Sequence, residues 1–297
     1  MSATPATNSE AGVHADQLDI SPATARALID SQFPQWRGLP LRGLATQGTV
    51  NAIFRLGDAF TVRFPLQPRP DAREWLEREA AAARELLGRT RFATPEPIAL
   101  GDPGPGYPLP WSVQTWLPGV VAGGQTLGDD FALDLAGFIS AVRAMPTHGR
   151  TFSGTGRGGE LRSQDDWMET CFQHSDPSLR RVWAELRELP RGDTPDTMTH
   201  GDLIPGNVLV TGGRLTGVLD VGGLSATDPA LDLVSAWHLL EDGPRRTLRE
   251  ALNPGDLEWE RGKAWAFAQA MGLPWYYATT NPAMAELGRR TLARITG

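Results

Sequence analysis

The change in hydrophobic period near residue 116 is the feature that most limits the folds open to this chain. Up to that point the apolar runs are short, rich in Val, Ile, Phe and Trp, and punctuated by Gly and Pro. Segments 43–46, 52–56, 60–64, 98–100 and 111–116 read as strands, with Gly57-Asp58 as a turn and Pro65, Pro68 and Pro70 ending the third. From Asp130 onward the apolar residues recur at helical spacing, over 131–145, 167–173, 178–189, 229–240, 258–271 and 282–295. The exception is 207–220, a hairpin about Gly212-Gly213. Strands first and helices afterward predict an α+β protein of two lobes. The strand-rich part spans 17–116 and the helical part 117–297, after a polar segment, 1–16, expected to be flexible.

Two helices interrupt the strand-rich part. One covers 21–31. The other covers 71–87, with Asp71 as its N-cap and Gly88 as its stop. On the second, Leu76, Ala80, Ala83 and Leu87 share one face, and Glu79 lies on the same side, turned toward the sheet. A carboxylate placed there requires a cation, because burial otherwise favours its neutral form.

Composition narrows the function classes. Net charge is −7, which argues against a nucleic-acid binder, since a phosphate backbone demands clustered Lys and Arg. The acidic balance permits a cationic substrate, although it equally serves solubility alone. The first 16 residues lack the apolar core of a signal peptide, and no apolar run reaches 18 residues, so no membrane span is expected. Cys171 is the single cysteine, so neither an internal disulfide nor a cysteine-based zinc site is expected, and a reducing cytoplasm fits. Lys263 is the single lysine, so every other basic side chain apart from the histidines is an arginine. Monomer and dimer both remain open.

The chemistry concentrates in His200-Gly201-Asp202-Leu203-Ile204-Pro205-Gly206-Asn207 and, thirteen residues after Asn207, in Leu219-Asp220-Val221-Gly222. Transfer of a γ-phosphoryl group asks little covalent help from a protein; it asks for a positioned hydroxyl and for charge neutralisation. Asp202 suits the orientation of the attacking hydroxyl and the acceptance of its proton. Asn207 and Asp220 supply one neutral and one charged oxygen for Mg2+, which keeps phosphates and water as its other ligands. For Asp202 alone, a turn or cap role is the bland alternative; the combined pattern favours the catalytic one.

His200 to Val210, Leu219 to Gly222 and Asp228-Pro229-Ala230-Leu231-Asp232-Leu233 resemble the aminoglycoside phosphotransferase family of small-molecule kinases. The resemblance runs from about Gly43 to the C-terminus and implies a bilobal, protein-kinase-like fold. The 48–57 stretch is similar to the family's nucleotide-binding hairpin, and Thr280-Asn281-Pro282 to the start of its final helix. The resemblance implies Asp202 as catalytic base, Asn207 and Asp220 as Mg2+ ligands, and His200 as a brace for the loop. Asp228 and Asp232 would cap and fix the following helix. Gly48 and Thr49 would cover the phosphates of ATP or GTP, and Thr115 and Leu117 would offer main-chain groups to the base. Arg63 stands where the family's phosphate-gripping cation is expected, with Glu79 as its partner. An ordinary structural ion pair is the alternative reading of those two.

The chain departs from the pattern at Arg63, at Ile204, where many relatives carry a second histidine, and at Val221, where phenylalanine is frequent. Trp237, Trp265 and Trp275 read as core rather than as a substrate platform, and Tyr276 and Tyr277 as candidates to line the substrate cleft. Asp165-Asp166 and Glu241-Asp242 read as solvated turns, with attraction of a cationic amino sugar as the sharper alternative. The leading expectation is a kinase for a hydroxyl of an aminoglycoside- or macrolide-like antibiotic. A kinase for a metabolite alcohol and a regulatory pseudokinase are the alternatives.

Overall fold

The computed structural model describes residues 17–44 and 50–297. The expected flexible segment 1–16 lies outside them. The chain divides into two compact units, Met1–Ala80 with Glu96–Trp116, and Ala81–Pro95 with Leu117–Gly297.

In the first unit, helix α1 (Pro22–Gln32) starts where Ser21 accepts the Thr24 N–H at 3.0 Å and Pro22 occupies the first turn. Strands β1 (Leu41–Gly43), β2 (Asn51–Leu56), β3 (Phe60–Pro65), β4 (Pro97–Gly101) and β5 (Trp111–Thr115) form an antiparallel sheet in the order β1-β2-β3-β5-β4. Among the described residues the first strand is Leu41–Gly43, where Leu41 pairs with Leu56 of β2; residues 45 and 46 of the expected strand 43–46 lie outside the described residues. Alternate residues of β2 and β3, including Phe54, Leu56, Val62 and Phe64, are buried against α1 and Trp36. Phe64 stacks on Trp111 at 5.0 Å and meets Tyr107 edge-on at 5.1 Å. Tyr107 donates its hydroxyl to the Pro65 carbonyl, and burial pushes its phenol well above the usual range.

Helix α2 (Ala72–Leu86) begins in the first unit and ends in the second. The Asp71 carbonyl accepts the first helical N–H, from Trp75. Its carboxylate accepts from Arg69 and Arg78 and is held down at about 2 by them, Arg69 first. The buried face is Leu76, Ala80, Ala83 and Leu86; Leu87 is exposed, contrary to expectation. The helix ends one residue earlier than its pattern suggests, at a left-handed Gly88, and Leu87 leaves the face with it.

The second unit holds the larger core. It contains β6 (Val120–Val121), α3 (Asp129–Arg143), α4 (Asp165–Phe172), α5 (Ser178–Leu186), β7 (Thr197–Thr199), β8 (Val208–Thr211), β9 (Arg214–Val218), β10 (Ser225–Thr227), α6 (Ser235–Leu239), α7 (Asp242–Leu252), α8 (Asp256–Met271), α9 (Leu273–Tyr276) and α10 (Pro282–Thr296). The hairpin β8–β9 turns at Gly212 and Gly213, both at positive φ, as a two-residue turn requires. Strands β6, β7 and β10 were not expected beyond residue 116; at two or three residues they are too short to show a period. They pair β6 with β8, and β7 with β10. The segment expected as one helix over 229–240 is a 3-10 turn, Pro229–Val234, followed by α6. Helix α7 escaped notice because only Leu248 of its eleven residues is buried. Among the described residues no helix is long and apolar enough to cross a membrane.

Candidate active site

The loop between β7 and β8 carries His200, Asp202 and Asn207, and the chain reaches Asp220 two residues past β9. Val208 and Val218 are cross-strand partners, so the open end of one hairpin presents Asn207 on one arm and Asp220 on the other. The Leu219 N–H donates to the Asn207 carbonyl at 2.7 Å and extends that pairing by one step. Asn207 donates its Nδ2 to the Asp202 carbonyl and to Asp202 Oδ2, both at 2.9 Å. Its amide oxygen is thereby turned away from Asp202, where it can meet a cation.

Buried groups fix this loop. His200 is fully buried; its Nδ1 accepts the Asp202 N–H, so its Nε2 carries the proton and donates to the Leu219 carbonyl at 3.0 Å. One imidazole thus ties the backbone of Asp202 to the residue preceding Asp220. Asp232, also fully buried, accepts the His200 N–H at 3.0 Å and the Gly201 N–H at 2.8 Å, one on each oxygen. Gly201 sits at φ +80°, a conformation that glycine adopts without the Cβ penalty. Asp228 caps the Pro229–Val234 turn through the Ala230 N–H, as expected, whereas Asp232 braces the His200–Gly201 backbone. The other Asp228 oxygen meets the buried Arg261, which also donates to the carbonyls of Leu189 and Gly159.

Asp220 is exposed and left-handed, at φ 55° and ψ 48°. Such a backbone is uncommon outside glycine and persists where neighbouring bonds enforce it. Here both backbone groups of Leu219, the preceding residue, are held by hydrogen bonds, its N–H to the Asn207 carbonyl and its carbonyl to His200. Val221 is buried.

Asp202 opens onto a cavity of about 240 Å3 within the second unit, with Ile204, Trp167 and Trp265 among its walls. Arg157 reaches the same cavity and donates to Asp202 Oδ1 at 3.2 Å. It rides on a glycine-rich loop, 154–159, whose end is held by Thr227 on the Gly158 carbonyl and Arg261 on the Gly159 carbonyl. His238 lies deeper, bonded to Thr291 and Gln269; burial lowers its pKa to about 4, so its ring is neutral near pH 7. Arg157, Trp167 and Gln269 were not anticipated as site residues. Tyr276 and Tyr277, candidates for the substrate cleft, are not among the residues lining this cavity, whereas Trp265, read as core, is.

The sequence matches the model of the phosphotransferase enzyme family, APH, over residues 44–266, three quarters of the chain. The chain belongs to that family. Family members of known structure resemble it over nearly their whole length. The GDP complex of wild-type aminoglycoside 2'-phosphotransferase-IIIa has a TM-score of 0.71 and 19% identity, with 92% of this chain and 98% of that one covered. The GDP and kanamycin complex of APH(2")-IIIa gives 0.73 and 20%, covering 91% and 97%. The apoenzyme of macrolide 2'-phosphotransferase MphH from Brachybacterium faecium gives 0.61 and 20%, covering 90% and 97%. At these identities the likeness establishes the fold, the kinase-like α+β architecture of these phosphotransferases. A search of curated protein sequences returned no match.

The remaining expected residues fall as follows. Arg63 on β3 and Glu79 on α2 form an ion pair at 3.5 Å in the first unit, both largely buried. Thr115 ends β5; its N–H donates to the Glu96 carbonyl, and its hydroxyl accepts the Glu96 N–H. Trp116 donates its N–H to Ala59, whereas Leu117, in the second unit, has no such backbone bond among the described residues. Gly48 and Thr49 lie outside the described residues.

Proposed function

We propose that this chain transfers the γ-phosphate of ATP or GTP to a hydroxyl of a small molecule seated in the cavity beside Asp202. The observation that carries the reading is the joining of three groups by one hairpin and one imidazole: Asp202 at the cavity, with Asn207 and Asp220 at the hairpin's open end. Asp202 orients the acceptor hydroxyl and takes its proton. Nδ2 of Asn207 holds the carboxylate in that orientation.

The donor set suits Mg2+. Asp220 gives an exposed carboxylate and Asn207 an amide oxygen, and magnesium prefers few protein oxygens with phosphate and water completing its shell. Among the described residues no cluster of three or more His, Cys, Asp or Glu side chains offers a complete protein cage instead. When bound, Mg2+ would neutralise the charge of the transferring phosphates. Arg63, fixed by Glu79, supplies a guanidinium for the phosphates, and its fork suits paired oxygens. With the N–H groups of Thr115 and Trp116 already committed within the sheet, the Leu117 main chain is the group assigned to the base edge. Gly48 and Thr49 are assigned to cover the phosphates.

Neighbouring structures hold kanamycin or gentamicin, or are named for macrolides, which puts those antibiotics first among acceptors to try. The test is phosphate incorporation from ATP and from GTP, with and without Mg2+. Asp202→Ala should lower kcat by about 10^2–10^4 while nucleotide affinity is retained. A variant with wild-type turnover would remove Asp202 from the chemistry. Nucleotide binding that is indifferent to Mg2+ would count against the Asn207–Asp220 site.

A further inference from the structure

Of the residues lining the cavity, those charged near neutral pH are Asp202 and Arg157, since burial keeps the His238 ring neutral. Arg157 donates from Nη2 to Asp202 Oδ1 at 3.2 Å, while Asn207 holds the other oxygen, Oδ2, at 2.9 Å. The Nε and Nη1 of Arg157 make no bond among the described residues. The two side chains are 38% and 35% exposed, and an ion pair so open to water adds little to stability.

The backbone that carries Arg157 is nevertheless fixed by buried groups. Gly158, at φ +100°, lies so close to Thr227 that a Cβ there would stand 2.0 Å from the hydroxyl oxygen. Thr227 donates to the Gly158 carbonyl at 3.2 Å, and the buried Arg261 donates to the Gly159 carbonyl at 2.8 Å. Arg261 is held in turn by Asp228, which caps the Pro229–Val234 turn. Asp232 of that same turn holds the backbone of His200 and Gly201. A single turn therefore sets both loops, the one that carries Arg157 and the one that carries Asp202.

The result is a carboxylate that accepts and a guanidinium that donates, side by side at one cavity. A hydroxyl donating to Oδ1 stands about 2.7 Å from it. An oxygen on the adjacent carbon of the same molecule lies about one hydrogen-bond length, roughly 2.8 Å, from that hydroxyl. With 3.2 Å between Oδ1 and Nη2, a bond of about 2.9 Å from the guanidinium to the second oxygen closes a four-sided figure with nearly equal sides. The planar fork allows this, because one N–H keeps Asp202 while another turns to the acceptor. An oxygen on the far side of a ring cannot close the figure.

We propose that Arg157 determines specificity by binding an oxygen on the carbon next to the reacting hydroxyl, so that the acceptor is a vicinal diol or a hydroxyl beside an ether or glycosidic oxygen. The proposal rests on the kinase reading above and names the chemistry of its acceptor. Arg157 forms and breaks no covalent bond. The hydroxyl oxygen bonds to the γ-phosphorus as the bond to the β-phosphate oxygen breaks. The hydroxyl proton passes to Asp202, and nucleoside diphosphate leaves.

The test uses the full chain with Mg2+ and compares trans-cyclohexane-1,2-diol with trans-cyclohexane-1,4-diol, isomers that differ in the spacing of their oxygens. Affinities are read by ligand-observed NMR in the presence of ADP or GDP, and turnover with ATP or GTP. Nucleotide affinity is measured in parallel as a check on folding. The expected result is a Kd tenfold or more in favour of the 1,2-diol, the value of one charge-assisted hydrogen bond. Arg157→Ala should bring the two isomers within about twofold of each other, whereas a purely structural role would weaken both alike. Equal affinity for the isomers in the native chain, a preference that survives Arg157→Ala, or an equal loss for both in that variant overturns the proposal and leaves Arg157–Asp202 as a surface ion pair. So does binding of nucleotide with no binding of either diol. None of these outcomes touches the kinase reading, which fails instead if nucleotide is not bound.

Discussion

Asp232→Asn keeps the volume of a fully buried side chain and removes its charge. In the native protein each carboxylate oxygen accepts one backbone N–H, from His200 at 3.0 Å and from Gly201 at 2.8 Å. An asparagine retains one acceptor; its NH2 group then faces the other N–H, donor against donor. A hydrogen bond to a charged group is worth about 1.5–3 kcal/mol, and the N–H left without an acceptor adds a desolvation cost of about 1–3 kcal/mol. These overlap, so the net loss expected is about 2–4 kcal/mol. A urea titration followed by circular dichroism should show a lower midpoint with an unchanged slope. The loop also loses one of its two fixed anchors beside Asp202. A displacement of about 1 Å there would cost roughly 10^2 in kcat, with little effect on nucleotide affinity. A variant within about 0.5 kcal/mol of wild type that also keeps its kcat would show that Asp232 does not brace the loop.

Arg63→Ala should raise the nucleotide KM about tenfold or more, the value of one charge-assisted bond; Glu79→Ala should follow it in the same direction by freeing the guanidinium, and a neutral effect of both would leave Arg63–Glu79 as a structural pair. Asp220→Ala should abolish the Mg2+-dependent part of nucleotide binding, read as coincident titrations with and without the ion. The burial of His238 gives a pH window. Its folded pKa of about 4 lies below the unfolded value near 6.5, so the unfolded chain binds the extra proton between them. Stability should therefore be undiminished above about pH 6.5 and fall by about 3 kcal/mol as pH drops toward 4. His238→Gln should flatten that interval, and an unchanged slope would mean another group titrates there.

The loop from His200 to Asn207 was legible as a candidate site because its residues lie close together in the sequence. Asp202, Asn207 and Asp220 needed only the hairpin between them, and two glycines announce its turn. Arg63 and Glu79 were legible as a pair because one lies on a strand and the other on the sheet-facing side of a helix. What escaped depends on distant segments. Arg157 reaches Asp202 from 45 residues away, on a loop whose glycines carry no period. Asp232 looked like a helix residue because its own segment is helical, while its carboxylate serves a loop about 30 residues earlier. Trp265 and Gln269 sit on α8, buried on nearly every side, where amphipathic pattern cannot mark a cavity wall. Strands of two or three residues, such as β6 and β7, fall below the length at which alternation can be seen.

The near-absence of lysine has a consequence for how this protein can be detected. Reagents that capture nucleotide-binding proteins by acylating an amine beside the phosphates need a nucleophilic nitrogen, and a guanidinium that stays protonated throughout the usable pH range offers none. Position 63 is therefore silent to them, and the single amine side chain, Lys263, lies on α8 against Glu260. Profiling by amine labelling would pass over this chain even if it bound nucleotide tightly. A dicarbonyl reagent, which condenses with guanidinium groups, is the complementary probe, and protection of Arg63 by nucleotide would be its signature.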